Sequence, residues 1–140
     1  MFVETSAVVA ILAGEPEADA FLDIVEEAER RTTGAHVRLE ATINLSRILG
    51  LSILAAQELF DDFLKEARIT VLPIGDAVAR RAVEAFAVYG KGQGHPAQLD
   101  FADCLSYACA DGDGGTILFK GRDFMHTDLT LAVSRMPPGG

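Results

Sequence analysis

The chain is poor in the features that mark membrane, secreted or generally nucleic-acid-binding proteins. No uncharged stretch is long enough to cross a bilayer, and the N-terminus lacks the basic residues that begin a signal peptide. Lys and Arg total 12 against 21 Asp and Glu, so the formal net charge is −9. This balance excludes general attraction to phosphate backbones, although a local site can still take a nucleic acid. We therefore expect a cytoplasmic protein with no membrane partner.

Cysteine is also scarce. The only two, Cys104 and Cys109, are five residues apart on a predicted helix, so their side chains point in different directions. A disulfide between them is geometrically poor, and neither cysteine has the spacing of a zinc site. Both are predicted to be buried free thiols.

Apolar residues, in contrast, are abundant. They make up 49% of its 140 residues and are spread throughout, which predicts one domain with one core over residues 1–140, ending in a flexible tail from about residue 135. Short apolar strands alternate with helices, so we predict an α/β fold with a mainly parallel central sheet flanked by helices on both faces. The predicted strands are Phe2–Thr5, Thr32–Ala35, Ile69–Ile74, Thr116–Phe119 and an edge strand, Leu129–Val133.

Capping residues indicate where several helices begin and end. Three polar residues are predicted N-caps: Ser6, Ser52 and Asp76. Another helix is expected over residues 36–49, where Gly50 would end it. Asp100 is either the cap or a first-turn acid of a helix over residues 98–111.

Four acidic residues abut or interrupt apolar runs: Glu4, Glu40, Asp103 and Asp123. A buried, unpaired carboxylate costs several kcal/mol, so such residues usually have a cation nearby. Ligands of open α/β sheets collect beyond the carboxyl ends of the strands, where Glu4 and Asp123 fall. The pattern predicts a metal site assembled from distant parts of the chain.

The four acids differ in how well a structural role explains them. Glu40 shares a polar helical stripe with Asn44 and Arg47, which could simply be a solvated face. The helix around Asp103 is apolar almost all round, so a functional role is favoured there. For the fourth position Asp123 competes with Asp128, and Asp123 is preferred because it is nearer a strand end.

Basic residues near these acids could guide a phosphate to the site. The candidates are Arg38, Arg47, Lys91, Lys120 and Arg122, although a solvated surface position is the more common role for such residues. The glycine-rich stretch at residues 90–96 could frame a site or act as a connector.

Several segments together closely resemble the PIN-domain ribonuclease toxins of the VapC type. The most specific segment covers residues 92–108, Gly-Gln-Gly-His-Pro-Ala-Gln-Leu-Asp-Phe-Ala-Asp-Cys-Leu-Ser-Tyr-Ala. The others are Phe2–Ala7, Arg38–Glu40 and Leu118–Phe124, followed by Thr127 and Asp128. The segments occur in the same order and with similar separations from end to end of the chain.

The resemblance implies a single PIN-like domain that is the toxin of a type II toxin–antitoxin system, a Mg²⁺-dependent endoribonuclease with Mn²⁺ as a substitute ion. It implies a VapB-type antitoxin, an RNA substrate, a homodimer and higher toxin–antitoxin assemblies that contact operator DNA only through the antitoxin. Carried over by position, the acidic set is Glu4, Glu40, Asp103 and Asp123, and the supporting hydroxyls are those of Thr5 and Ser6. Metal ligation is expected from Glu4, Asp103 and Asp123, with Glu40 as a further candidate and Asp128 in reserve. Lys120 and Arg122 are the expected RNA-guiding residues.

Glu4 departs from the family pattern, because VapC-like chains have Asp at this position. The extra methylene moves the carboxylate by about 1.5 Å, roughly one carbon–carbon bond. Mg²⁺ demands near-ideal octahedral geometry, and a displacement of about 1 Å at a catalytic group can cost on the order of 10²-fold in rate. We therefore expect Glu4 to weaken metal binding or turnover.

Two other interpretations remain at this point. The first is a catalytically impaired PIN-fold module whose role is to bind and regulate through an antitoxin. The second is a phosphoacceptor receiver domain, in which Lys120 would mimic the lysine that follows a strand. Receiver domains have two adjacent acidic residues after the first strand, whereas this chain has Glu4 followed by Thr5.

Overall fold

The structure is a computed structural model that describes residues 1–133. Five strands and six helices alternate along the chain, in this order: β1 Phe2–Val3, α1 Thr5–Leu12, α2 Ala18–Glu27, β2 Thr32–Gly34, α3 Ala35–Leu49, α4 Ile53–Glu66, β3 Thr70–Leu72, α5 Asp76–Tyr89, α6 Phe101–Gly112, β4 Thr116–Leu118 and β5 Thr130–Leu131. The predicted α/β class is confirmed. The tail predicted from about residue 135 lies outside the described residues.

The strands form one parallel sheet in the order β3-β2-β1-β4-β5. β5 is an edge strand, as predicted, and β1 lies in the middle. β2 and β3 lie on one side of β1, and β4 and β5 lie on the other. Val3 pairs with Leu118, and the Glu4 amide donates to the Leu118 carbonyl at 3.0 Å. The carboxyl ends of β1 and β4 are therefore neighbours, which is where α/β sheets open a crevice.

Helices cover both faces of this sheet. α6 contacts β1, β2 and β4 and carries α5 on its outer side, while α1 contacts α2, α3 and α4. The largest fully buried side chains are Tyr107, Phe2, Phe60 and Phe124. Burying an apolar side chain of this size contributes about 1.5–3 kcal/mol relative to leaving it exposed, so these aromatics are central to stability.

The helix ends differ from the predictions at two positions. α1 is capped by Glu4 and not by Ser6, because the Glu4 carboxylate reaches forward to the Ser6 amide at 2.8 Å. α5 has Gly75 at its N-cap, and Asp76 is its first residue, bonded to Arg80 one turn later at 2.7 Å. An acid in the first turn is favoured by the helix dipole, which explains why Asp76 looked like a cap.

The other predicted helix ends are confirmed. Ser52 caps α4 by accepting from the Ala55 amide at 3.1 Å, and Asp100 caps α6. Gly50 ends α3 with φ at +66°, in the left-handed region that glycine enters without steric penalty. Local chemistry at these positions therefore decides where α4 and α6 begin and where α3 ends.

Both cysteines are buried free thiols, as predicted. Burial raises the pKa of Cys104 and of Cys109 to about 11, so both are protonated at neutral pH. Their role is packing.

Within residues 1–133, no single helix is long and apolar enough to cross a membrane. α3 and α4 reach the required length and composition only when taken together, and a bend of 117° separates them.

Candidate active site

A cleft of about 500 Å³ opens at the carboxyl ends of β1 and β4. α1, α3, α6 and the loop after β4 each contribute to its wall. Its lining residues are Glu4, Thr5, Ser6, Val9, Glu15, Glu40, Asn44, Asp100, Asp103, Lys120, Gly121 and Asp123. All four acids of the predicted set thus line one cleft, although they come from four separate parts of the chain.

Glu4 enters the cleft from the junction of β1 and α1. It is 7% exposed, and its Oε2 atom accepts hydrogen bonds from both the amide and the hydroxyl of Ser6. The Ser6 hydroxyl in turn accepts from the Lys120 amide at 2.7 Å. Ser6 therefore ties the Glu4 carboxylate to the loop that follows β4.

Glu40 reaches the cleft from α3 and is held by Thr5. The Thr5 hydroxyl donates to Oε1 of Glu40, linking α1 and α3 at the cleft wall. Asn44, one turn after Glu40, also lines the cleft, whereas Arg47 faces solvent and bonds Asn44 at 3.5 Å. The polar stripe predicted on this helix thus has an end in the cleft and an end in solvent.

The remaining acids come from α6 and from the loop after β4. Asp103 is half-buried in the first turn of α6, and Asp123 is exposed beyond β4. Asp128, the reserve for the fourth position, is not among the lining residues; it accepts from the buried Tyr107 hydroxyl at 2.5 Å. The structure therefore places Asp123, and not Asp128, in the lining of the cleft.

Two carboxyl groups in the cleft, those of Glu4 and Asp103, have raised pKa values, and burial is the largest cause of both shifts. Burial raises the pKa of Glu4 to about 7, with Glu40 and Asp103 adding to the effect and the Ser6 hydrogen bonds opposing it. Burial also raises the pKa of Asp103, and the charges of Asp100 and Asp123 add to this. The cleft therefore holds negative charge at an energetic cost, which a bound cation would relieve.

The lining residues fit a hard divalent cation in chemistry and charge. Six of them are Asp or Glu, and Lys120 is the one Lys or Arg among them. Carboxylate oxygens are the ligands that Mg²⁺ and Mn²⁺ prefer. Across residues 1–133, however, no three Asp, Glu, His or Cys side chains are placed so that they enclose an ion.

Of the five basic residues that were candidates for guiding a phosphate, Lys120 alone lines the cleft. Lys120 lies in the cleft wall, with its ammonium 2.5 Å from Glu15 and 3.1 Å from Glu17. Arg38 bonds Asp61 at 2.6 Å, outside the cleft lining. The exposed residues Lys91 and Arg122 are not in the lining either.

Two lining acids were not predicted as site residues. Asp100 was predicted to have only a structural role. It does cap α6, but it also lines the cleft. Its spacing of three residues from Asp103 is that of a capping box, so the sequence carried a signal for the pairing. Glu15 follows Gly14 in a turn and has no such pattern; only tertiary packing places it beside Lys120.

His36, near the start of α3, is a half-buried neutral base. Its Nε2 atom is 2.8 Å from the Ser106 hydroxyl, and its ring stacks on Phe2. Burial lowers the pKa of His36 to about 4. Because the unfolded chain takes up the proton near pH 6.5, the stability linked to His36 is complete above that pH and is lost as the pH falls toward 4.

We expect this pH dependence to disappear in His36→Gln. Glu4 and Asp103 have raised pKa values and give the opposite slope in the same pH range, so the informative quantity is the difference between wild type and variant. That difference should increase with pH by up to about 1.4 kcal/mol per unit between pH 4 and 6.5, the value for one proton, and level off above. Urea unfolding of both proteins in EDTA at several pH values measures it. A pH-independent difference would contradict the neutral state of His36 in the folded protein.

Comparison with protein-family models places this architecture in a known family. The PIN domain model matches residues 1–129. Ribonuclease VapC28 of Mycobacterium tuberculosis is 41% identical over 135 residues, covering 96% of this chain and 99% of the relative. A VapC ribonuclease of Rhizobium meliloti is 36% identical over 146 residues, covering 91% of this chain and 98% of the relative.

Solved structures agree on the fold. Mycobacterium tuberculosis VapC20, described as a sarcin-ricin loop cleaving toxin, superposes with a TM-score of 0.73 at 20% identity, over 92% of this chain and 95% of that one. VapBC2 from Rickettsia felis, bound to a DNA fragment from its promoter, has a TM-score of 0.70 at 16% identity, with 93% and 95% covered. PIN-domain ribonucleases generally depend on divalent metal ions. The chain belongs to the VapC family of PIN-domain ribonucleases.

Proposed function

We propose that this chain is the toxin of a type II toxin–antitoxin pair and that it cleaves RNA as a Mg²⁺-dependent endoribonuclease. The observation that carries the proposal is the convergence of Glu4, Glu40, Asp103 and Asp123 on one cleft at the carboxyl ends of β1 and β4. The full-length similarity to VapC ribonucleases supports the same activity. Mn²⁺ is the proposed substitute ion, because it has the same preference for oxygen ligands.

Glu4, Asp103 and Asp123 are the proposed metal ligands, with Glu40 as a further candidate. A divalent ion bound there would acidify the attacking water and neutralise charge on the scissile phosphate. The protein's own groups prepare the site. Thr5 holds the Glu40 carboxylate against α1, and burial among other acids makes the Glu4 and Asp103 carboxyl groups costly to leave without a cation.

The proposed partners follow from family membership. One is a VapB-type antitoxin, which would bring operator DNA into a larger assembly; the Rickettsia felis complex offers a parallel. A second copy of the chain would form a homodimer. The structure has exposed apolar side chains on which such contacts could be built, among them Leu39, Ile43, Ile53 and Leu54 on α3 and α4.

A catalytically impaired module that only binds an antitoxin is not favoured, because the relatives that match along the whole chain are named as ribonucleases. The receiver-domain interpretation is excluded by the PIN domain match. One distinctive feature of this chain remains: Glu4 is engaged by Ser6 as the cap of α1. We propose that this engagement weakens, without abolishing, its part in metal binding.

The test is cleavage of cellular RNA by the purified chain, with sequencing of the new RNA ends. Cleavage should require Mg²⁺ or Mn²⁺, stop in EDTA and be lost in Asp103→Asn. Failure of the wild type to cleave RNA or to bind Mn²⁺ in a titration would overturn the proposed function. Cleavage that persists in EDTA would overturn its metal dependence.

Lys120 is the proposed RNA-guiding residue inside the cleft, and Arg122 is proposed for the same role just outside it. Lys120 is held by Glu15 and Glu17, so an incoming phosphate must compete with two carboxylates for its ammonium. We expect the double variant Glu15→Gln/Glu17→Gln to lower KM for RNA by about 2–5-fold with kcat unchanged, since partly exposed ion pairs are each worth up to about 1 kcal/mol.

Steady-state cleavage at low and high salt measures this effect. Glu58→Gln/Glu66→Gln is the matched control, because it removes the same charge from exposed positions on α4. The KM decrease should shrink at high salt, where exposed charges are screened. An equal decrease in the control would mean that net charge, and not the release of Lys120, is responsible.

A further inference from the structure

The first turn of α6 contains a reciprocal pair of hydrogen bonds between two acids of the cleft. The Asp103 amide donates to Oδ1 of Asp100 at 2.9 Å, and the Asp100 amide donates to Oδ2 of Asp103 at 3.1 Å. This is a capping box, in which the N-cap residue and the third helical residue each satisfy the other's backbone amide. One oxygen of the Asp103 carboxylate is therefore tied to the backbone, while Oδ1 has no part in the pair.

The capping box acts on Asp103 as well as on the helix. A capping residue normally satisfies amides that would otherwise lack a partner at a helix start. Here the amide of Asp100 fixes the side chain of Asp103, and the side chain of Asp100 fixes the backbone from which Asp103 projects. Because Asp103 is a proposed metal ligand, a shift of the first turn would move a ligand oxygen by a distance that metal coordination does not tolerate.

We propose that Asp100 is a positioning residue for the reaction, acting through Asp103 by hydrogen bonding and not by its charge. This inference rests on the proposed function and adds a residue to it. A capping oxygen is required at position 100, whereas a carboxylate is not. Asp100 also lines the cleft, so the competing role is that of a fifth charged group acting directly on the ion.

Four variants separate these roles. Asp100→Asn keeps a side-chain oxygen at the cap and removes the charge, and Asp100→Ala removes both. Asp100→Gly removes the side chain at a position where glycine is tolerated, so it replaces Asp100→Ala if that variant does not fold. Ser52→Ala is the matched control, because it removes the side-chain cap of α4, which lies outside the cleft lining.

We expect kcat of Asp100→Ala and Asp100→Gly to fall by about 10–100-fold, the usual effect of losing a group that orients a metal ligand, with little change in KM. Asp100→Asn should keep kcat within about 3-fold of wild type, because an amide oxygen also caps a helix. Ser52→Ala should lower the unfolding midpoint and leave kcat unchanged. Mn²⁺ titration without RNA should show clearly weaker binding for Asp100→Ala and an affinity within about 3-fold of wild type for Asp100→Asn.

A double-mutant cycle identifies the route of the effect. If Asp100 acts through Asp103, Asp100→Ala has no further effect on Mn²⁺ affinity in the Asp103→Asn background. Additive losses would overturn the proposal, as would an Asp100→Asn variant as impaired as Asp100→Ala, or an Asp100→Ala variant with wild-type kcat and Mn²⁺ affinity. A wild-type chain that binds Mn²⁺ but cleaves no RNA would refute the proposed function, while the Mn²⁺ titrations would still decide the role of Asp100. A wild-type chain that binds no Mn²⁺ would overturn both.

Discussion

Asp103→Asn should fold like the wild type and lose its metal-dependent RNA cleavage. The substitution keeps the size of the side chain and an oxygen that can still accept from the Asp100 amide, so the capping box of α6 is retained. It removes the negative charge that a cation would need. Loss of a ligand that stabilises several kcal/mol of developing charge corresponds to on the order of 10³-fold in kcat.

Two measurements are needed for Asp103→Asn. Urea unfolding should give a midpoint at or above that of wild type, because burial raises the pKa of Asp103 and its charged form is costly in the fold. Cleavage of RNA in Mg²⁺ should be compared with Asp62→Asn, which makes the same change at an exposed position on α4. If Asp103→Asn cleaves within about tenfold of wild type, the removed charge accounts for less than about 1.4 kcal/mol of transition-state stabilisation. The proposed metal site would then be wrong.

Glu4→Asp should raise activity by about 10–100-fold, the factor attached to misplacing a catalytic group by about 1 Å. In the wild type the Glu4 carboxylate extends forward and accepts two hydrogen bonds from Ser6 with one oxygen. Asp is a preferred N-cap residue, so the shorter side chain can still cap α1. Its carboxylate would lie nearer the end of β1.

The matched control for Glu4→Asp is Glu40→Asp. It shortens a second acid of the same cleft by one methylene and should lower activity, because it withdraws the carboxylate from the Thr5 hydroxyl. Mn²⁺ affinity should rise for Glu4→Asp and fall for Glu40→Asp. If Mg²⁺-dependent cleavage and Mn²⁺ affinity both stay unchanged in Glu4→Asp, the geometric argument about Glu4 is wrong.

The sequence alone predicted much of the architecture because its signals are local. Alternation of short apolar strands with helices depends on residues within a few positions of one another, and all five predicted strands are present. Gly50, Ser52 and Asp100 were recognised as helix ends because their chemistry acts on amides and dihedral angles within a turn. The same reasoning failed at Ser6 and at Asp76, because α1 and α5 each begin earlier than predicted and have Glu4 and Gly75 as their N-caps.

The chain's sequence by itself determined the α/β class, the family and the four acids that do not suit an apolar context. Only the tertiary structure decided which groups share the cleft. Asp123 lines the cleft, whereas Asp128 accepts a hydrogen bond from Tyr107. Glu15 forms an ion pair with Lys120. Asp100 caps α6 and also holds the side chain of Asp103 through its amide. Hydropathy patterns and caps are read within about one turn of chain, whereas the cleft depends on the parallel register of β1 with β4. That register brings residues more than 100 positions apart within hydrogen-bonding distance, as between Ser6 and Lys120.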